Sequence, residues 1–192
     1  MKHYWLALSV VAVVWAAWFA RDWTINPHRP DGIPDTLEFR AIAQNIAGGR
    51  GVSVNGSEPY SFRVPGWPAA MALVFQLGGG ERACCALNGV LWLIVTALVM
   101  WPWRRSAWLW VIALLVGLDP AALYWMSLPL ADPLFLCLVV AGIVLWLKRP
   151  YAAAALFGLS ALVRPGGLYV CLALMIFTVC DKGRAVVEDD AK

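Results

Sequence analysis

Charged residues are scarce in this chain of 192 residues: Asp, Glu, Lys and Arg make up 14% of it, against about a quarter in soluble globular proteins. Histidine occurs twice, at His3 and His28, too few and too far apart for a ligand cluster. The five cysteines (Cys84, Cys85, Cys137, Cys171, Cys180) contain no Cys-x-x-Cys spacing and lie in apolar runs. They read as small buried hydrophobes, so neither zinc nor a disulfide framework is indicated. The net charge of +3 is too small and too scattered to point to nucleic acid. What fills the chain instead is apolar: 61% of residues, with 12 tryptophans. That excludes a soluble globular domain, a disordered tail and a collagen-like repeat, and indicates an integral membrane protein. One all-α module over residues 1–180 and a polar cytoplasmic tail over 181–192 account for the whole length.

A bilayer crossing needs about 20 apolar residues. Tyr4–Ala20 forms such a run behind Lys2 and reads as an uncleaved first span. The long polar stretch follows. Residues 21–63 hold five arginines and five acids, so this stretch is neutral. In it, Phe39, Ile42, Ala43 and Ile46 follow the 3–4 spacing of one helical face, predicting an amphipathic helix over about 34–48 on the outer membrane surface. A second juxtamembrane helix is expected at 65–77, since about 13 residues reach only ~20 Å, too short to cross. Further spans are expected at 82–101, 107–125 (broken or loosened at Asp119-Pro120), 131–147, 151–163 and 167–180, about six in all. Arg104-Arg105 and Lys148-Arg149 sit in short acid-free connections, which the positive-inside rule assigns to the cytoplasm. Both termini are then cytoplasmic and the loop 21–81 faces outward.

Ionisable groups at membrane depth cost ~2.5–3.5 kcal/mol and are functional suspects by default. Here they are Asp119, Asp132 and Arg164, all expected at the outer ends of their helices. Asp35, Glu38 and Arg63 of the long loop fall on the same side, so one outward-facing polar pocket could collect all six. Each has a structural alternative. Asp35-Thr36-Leu37-Glu38 has the spacing of a capping box. Asp119 and Asp132 each precede proline, as at helix starts. Arg164 could snorkel to the interface or pair with Asp132. The tryptophans read mostly as interfacial belts, with Trp67 and Trp125 candidates for lining a sugar or lipid site. As an ion relay, Asp119, Asp132 and Arg164 would instead suit a small transporter.

The order of these segments resembles a known family. A first span is followed by Pro34-Asp35-Thr36-Leu37-Glu38-Phe39-Arg40-Ala41-Ile42-Ala43-Gln44-Asn45-Ile46-Ala47-Gly48-Gly49-Arg50-Gly51. Then come Arg63-Val64-Pro65-Gly66-Trp67-Pro68, Leu130-Ala131-Asp132-Pro133 and Ala161-Leu162-Val163-Arg164-Pro165. This resembles the N-terminal membrane module of the type-C (GT-C) glycosyltransferases, particularly bacterial proteins similar to protein O-mannosyltransferases and aminoarabinose transferases. Phe39 stands where the family usually has tyrosine, and Thr36 where a second acid usually follows. The family's enzymes are usually longer.

The resemblance implies an enzyme of the bacterial cytoplasmic membrane that moves a sugar from a polyprenyl-phosphate donor to an acceptor on the outer face, with inversion. Asp35 would be the general base, with Glu38 beside it. Arg63 and Arg164 would hold the donor phosphate, Asp132 would orient Arg164 or a sugar hydroxyl, and Trp67 would line the lipid or sugar. Some members are metal-assisted, and Asp35 and Glu38 would then coordinate Mg or Mn. The shortness of the chain gives a second expectation, a non-catalytic subunit that binds the lipid carrier. It also suggests a homo-oligomer or a partner membrane subunit that completes the groove.

Overall fold

The computed structural model describes residues 1–25, 33–146 and 148–176, which lie mostly in helices and include no strand. Helix α1 spans Lys2–Ile25, α2 Pro34–Ala47, α3 Gly66–Gln76 and α4 Glu81–Met100. A 3-10 turn at Trp101–Trp103 ends α4. Then come α5 (Trp108–Ile112), a π turn at Ala113–Gly117, α6 (Pro120–Met126), α7 (Asp132–Leu145), α8 (Pro150–Val163) and α9 (Gly166–Ile176).

Among the described residues, two helices, Lys2–Ile25 and Glu81–Trp103, are long and apolar enough to cross a membrane. A third crossing is added if Trp108–Gly117 and Pro120–Met126 count as one span bent by 45°. The break falls where Asp119-Pro120 was expected to loosen the helix. Asp119 caps α6, accepting from the Ala121 and Ala122 amides at 3.3 and 3.1 Å. Of the remaining expected spans, 131–147 is realised as the shorter Asp132–Leu145, and 151–163 forms as Pro150–Val163. Helices α7 and α8 have 14 residues each, about 21 Å at 1.5 Å per residue. Pro150 opens α8 in its first turn, and Arg164 closes it with extended backbone (φ −148°, ψ 135°) because Pro165 follows. The far end of the last expected span and the tail 181–192 lie outside the described residues.

Helices α1, α4, α5 and the π turn pack around Tyr4, Ala7, Val11, Met100, Leu109 and Ala113. Helix α4 is the central element, touching α1, α7, α6 and α3. Close crossings use glycine, as expected where packing rather than the hydrophobic effect joins helices. A side chain at Gly142 would meet Phe157 of α8 at 2.5 Å, and one at Gly89 would overlap the Trp15 ring of α1.

The two loop helices form as expected, but the apolar face of α2 is covered by protein rather than turned to a membrane surface. Phe39 and Ala43 join Trp67, Met71 and Ala72 of α3, together with Leu128, Leu130 and Ala131, in one core cluster. Ile42, Trp67 and Met71 are fully buried, each a gain of roughly 1.5–3 kcal/mol. The capping-box expectation fails here. The N-cap is Ile33, with no side-chain cap, and both acids bond elsewhere. In the last turn of α2, the amide of Asn45 donates to Ser53 O (2.8 Å) and Val54 O (3.1 Å), folding the glycine-rich loop back, and Arg63 returns to the first turns of α2.

Candidate functional site

Asp35 and Glu38 lie three residues apart in the first turns of α2, so their side chains emerge on the same side of the helix. The Arg63 guanidinium bridges them. Its Nη2 donates to Asp35 Oδ1 at 2.5 Å and its Nε to Glu38 Oε2 at 2.7 Å. The same guanidinium lies 5.5 Å from the Phe39 ring centroid and 5.2 Å from that of Phe62. Its pKa is raised, first by the hydrogen bond to Glu38 and then by the charges of Asp35 and Glu38, against partial burial. Arg63 is therefore a fixed positive charge at any working pH.

On the facing elements, Asp132 in the first turn of α7 forms an ion pair with Arg164, the residue that ends α8. Helices α7 and α8 run antiparallel, which brings the start of one to the end of the other.

Two cavities meet between these pairs. The larger, about 560 Å³, carries Asp35, Asp119, Asp132 and Arg164 against an apolar wall that includes Trp92, Trp125, Met126 and Leu136. The smaller, about 190 Å³, is lined by Asp35, Arg63, Asp132 and Arg164, with Phe39 and Phe62 on its apolar side. Asp35, Leu130, Asp132 and Arg164 line both and form the partition. The expected convergence of Asp35, Asp119, Asp132, Arg63 and Arg164 is thus present, divided over two chambers, with Glu38 held behind Arg63. The carboxylate of Asp119 also caps α6, the structural role weighed for it.

One candidate is misplaced. Trp67 lines neither cavity. It is fully buried, and its indole N–H donates to Pro129 O at 2.8 Å. An interfacial tryptophan keeps its N–H in the wet layer, whereas this one has a backbone acceptor inside the protein. It holds the Pro129 carbonyl, three residues before Asp132, from behind the two cavities. Trp125, the other aromatic candidate, does line the larger cavity.

Asn88 was not among the candidates. It is fully buried in α4, and its amide donates to Leu128 O (2.7 Å) and Leu130 O (3.0 Å). The available signal was a lone carboxamide inside an apolar helix, which ranks below a charge in cost but obeys the same logic.

Asp35 and Glu38 do not form a ready metal site, because a guanidinium occupies the space between the carboxylates that a hard cation would take. No group of three or more His, Cys, Asp or Glu residues among those described could hold a metal ion. No family model, curated protein or solved structure matches the chain.

Proposed function

We propose that this protein transfers a sugar from a polyprenyl-phosphate carrier to an acceptor hydroxyl at the outer face of the bacterial cytoplasmic membrane. The observation that carries the reading is the larger cavity, where three carboxylates and a guanidinium meet an apolar wall containing two tryptophans. A polar headgroup on a lipid tail has that dual chemistry.

In the reaction the acceptor oxygen attacks the anomeric carbon as the bond from that carbon to the phosphate oxygen breaks. The electron pair leaves on the phosphate, the configuration inverts, and the hydroxyl proton passes to Asp35. A base serves in this way when its carboxylate reaches the hydroxyl, and Asp35 lines both chambers. Arg164 is the guanidinium suited to the phosphate. It is 50% exposed and held by one carboxylate, Asp132, which it can exchange for phosphate oxygens. Arg63 is already engaged by two acids and holds the base in place. Mg or Mn would reach Asp35 and Glu38 only by displacing it.

The reading includes six crossings with both termini cytoplasmic and the loop 21–81 outside. It also includes a second copy or a partner membrane subunit completing the groove for the lipid tail. Cysteine labelling from each side of sealed vesicles tests the topology.

The engagement of Asp35 by Arg63 favours a second reading, in which the site binds the carrier lipid without turnover as part of a larger glycosylation system. One experiment separates the two. Purified wild type and Asp35→Asn are reconstituted in proteoliposomes with polyprenyl-phosphate sugars and cell-envelope acceptors. Turnover in wild type that vanishes in Asp35→Asn supports the transferase. Carrier binding by both without turnover supports the binding subunit. Neither binding nor turnover refutes both.

A further inference from the structure

Ser127–Ala131, between α6 and α7, is the irregular segment that separates two apolar helices, and it is buried throughout. Ser127 is 2% exposed, Leu128 0%, Leu130 7% and Ala131 6%. Irregular backbone buried in a membrane protein has to find hydrogen-bond partners within the protein. Here three successive carbonyls are satisfied by side chains from two other helices. Asn88 of α4 donates to Leu128 O and Leu130 O, and Trp67 of α3 donates to Pro129 O between them. Asn88 therefore grips positions i and i+2 with the two hydrogens of one amide. Its own Oδ1 has no partner among the described residues. An unmet buried acceptor costs about 1–3 kcal/mol, and packing alone would have been served by leucine.

The gripped segment leads directly into the site. Leu130 lines both cavities, and two residues later Asp132 lines both and pairs with Arg164. We propose that Asn88 is a positioning residue. By fixing the Leu128 and Leu130 carbonyls, it sets Asp132, and through it Arg164, at the partition between the chambers. This rests on the reading of the larger cavity as the carrier-lipid site. Asn88 touches neither cavity and acts only through the backbone.

The test uses the full chain in detergent with farnesyl phosphate as the probe, and Asn88→Leu, which has nearly the same shape without donors. Asn88→Leu should weaken probe binding at least tenfold in the wild-type background and have little further effect in an Asp132→Ala background. Equal weakening in both backgrounds, or none in either, would overturn the proposal. Amide hydrogen exchange is the second measurement. Asn88→Leu should accelerate exchange across residues 130–135 and leave α1 and α8 unchanged, whereas a uniform rise would overturn positioning.

If wild type does not bind the probe, the carrier-lipid reading falls, and the exchange pattern alone decides whether Asn88 positions Asp132. Asn88→Asp retains the shape and, protonated in an apolar interior, one of the two donors. If Asn88→Leu does not fold, this variant should show the same coupling at smaller size. Failure of both to fold would overturn the proposal, because the amide would then be holding the fold rather than the site.

Discussion

Gly66 stands three residues beyond Arg63, and Leu162 two residues before Arg164, so their contact spaces the two guanidiniums of the site. A Cβ built on Gly66 would lie 2.5 Å from the Leu162 carbonyl oxygen, 2.8 Å from its carbon and 2.9 Å from Val163 Cγ2. The first of these is about 0.9 Å inside the 3.4 Å of ordinary contact. Two of the three atoms are backbone and cannot rotate aside, so α3 and α8 must separate by most of that distance. Overpacking of this kind costs ~1–3 kcal/mol. An intermediate value of about 2 kcal/mol corresponds to a drop of roughly 4–8 °C in Tm for a chain of this size. The functional effect is expected to be larger, because a misplacement of about 1 Å between reacting groups can cost ~100-fold in rate.

Gly66→Ala should therefore lower the midpoint of unfolding, followed by tryptophan fluorescence in detergent, and weaken farnesyl phosphate binding by tenfold or more. Gly158→Ala is the control of opposite sign. Gly158 lies on an exposed turn of α8 with nothing within 4 Å of the added Cβ, and the change should stabilise by about 0.5–1 kcal/mol through helix propensity. If Gly66→Ala unfolds and binds like wild type, the close approach of α3 and α8 does not set the spacing of the arginines.

Three further predictions follow from the charged groups. The Arg164–Asp132 pair is about half exposed, with side chains 50% and 46% accessible, so Arg164→Gln should change stability by less than ~1 kcal/mol while weakening probe binding tenfold or more. A large loss of Tm with binding intact would refute a ligand role for Arg164. Mn2+ should raise the Tm of Arg63→Ala more than that of wild type, because the guanidinium blocks the two carboxylates, and the reverse order in a metal titration would refute that blockade. The last concerns pH. The Arg63 pKa is raised on folding, so its stabilisation is fully present below the unfolded value and is lost only as pH climbs through the folded one. Both values lie in strong alkali, so Arg63 pairing should add no slope to the unfolding midpoint from neutral to mildly alkaline pH. A decline there that disappears in Arg63→Ala would refute the assignment.

Much of the local structure was legible in the sequence. The 3–4 spacing of Phe39, Ile42, Ala43 and Ile46 located α2, the prolines after Asp119 and Asp132 marked the starts of α6 and α7, and Asp119-Pro120 located the break. The meeting of acids and arginines was also legible, because Asp119, Asp132 and Arg164 stood at expected helix ends and Asp35, Glu38 and Arg63 in the loop on the same side. Helix length across the membrane was harder to read. The apolar run 131–147 records continuous hydrophobicity, whereas the helix within it covers Asp132–Leu145; the end of 151–163 was legible, because Arg164 precedes Pro165. Trp67 was expected to line a sugar or lipid site because it follows Arg63 in the loop, yet it lines neither cavity. Its position is decided by an acceptor 62 residues away in sequence, which no local pattern encodes. The same holds for Asn88, whose two acceptors lie 40 and 42 residues on.

The break at Asp119 bears on how the protein is made. A segment that leaves the ribosome as one apolar run but ends as two half-helices cannot enter a bilayer as a rigid rod. The seven residues of α6 are too few to partition on their own, and a carboxylate at their head opposes insertion. Helices α1 and α4 have the length and hydropathy to insert first. They would then offer the surface on which α5, α6 and the short helices α7 and α8 settle. The Ala121 and Ala122 amides that donate to the Asp119 carboxylate converge on it only once α6 has begun to wind. Biogenesis would therefore run in two stages, with the long helices as a template and the site among the last parts to form.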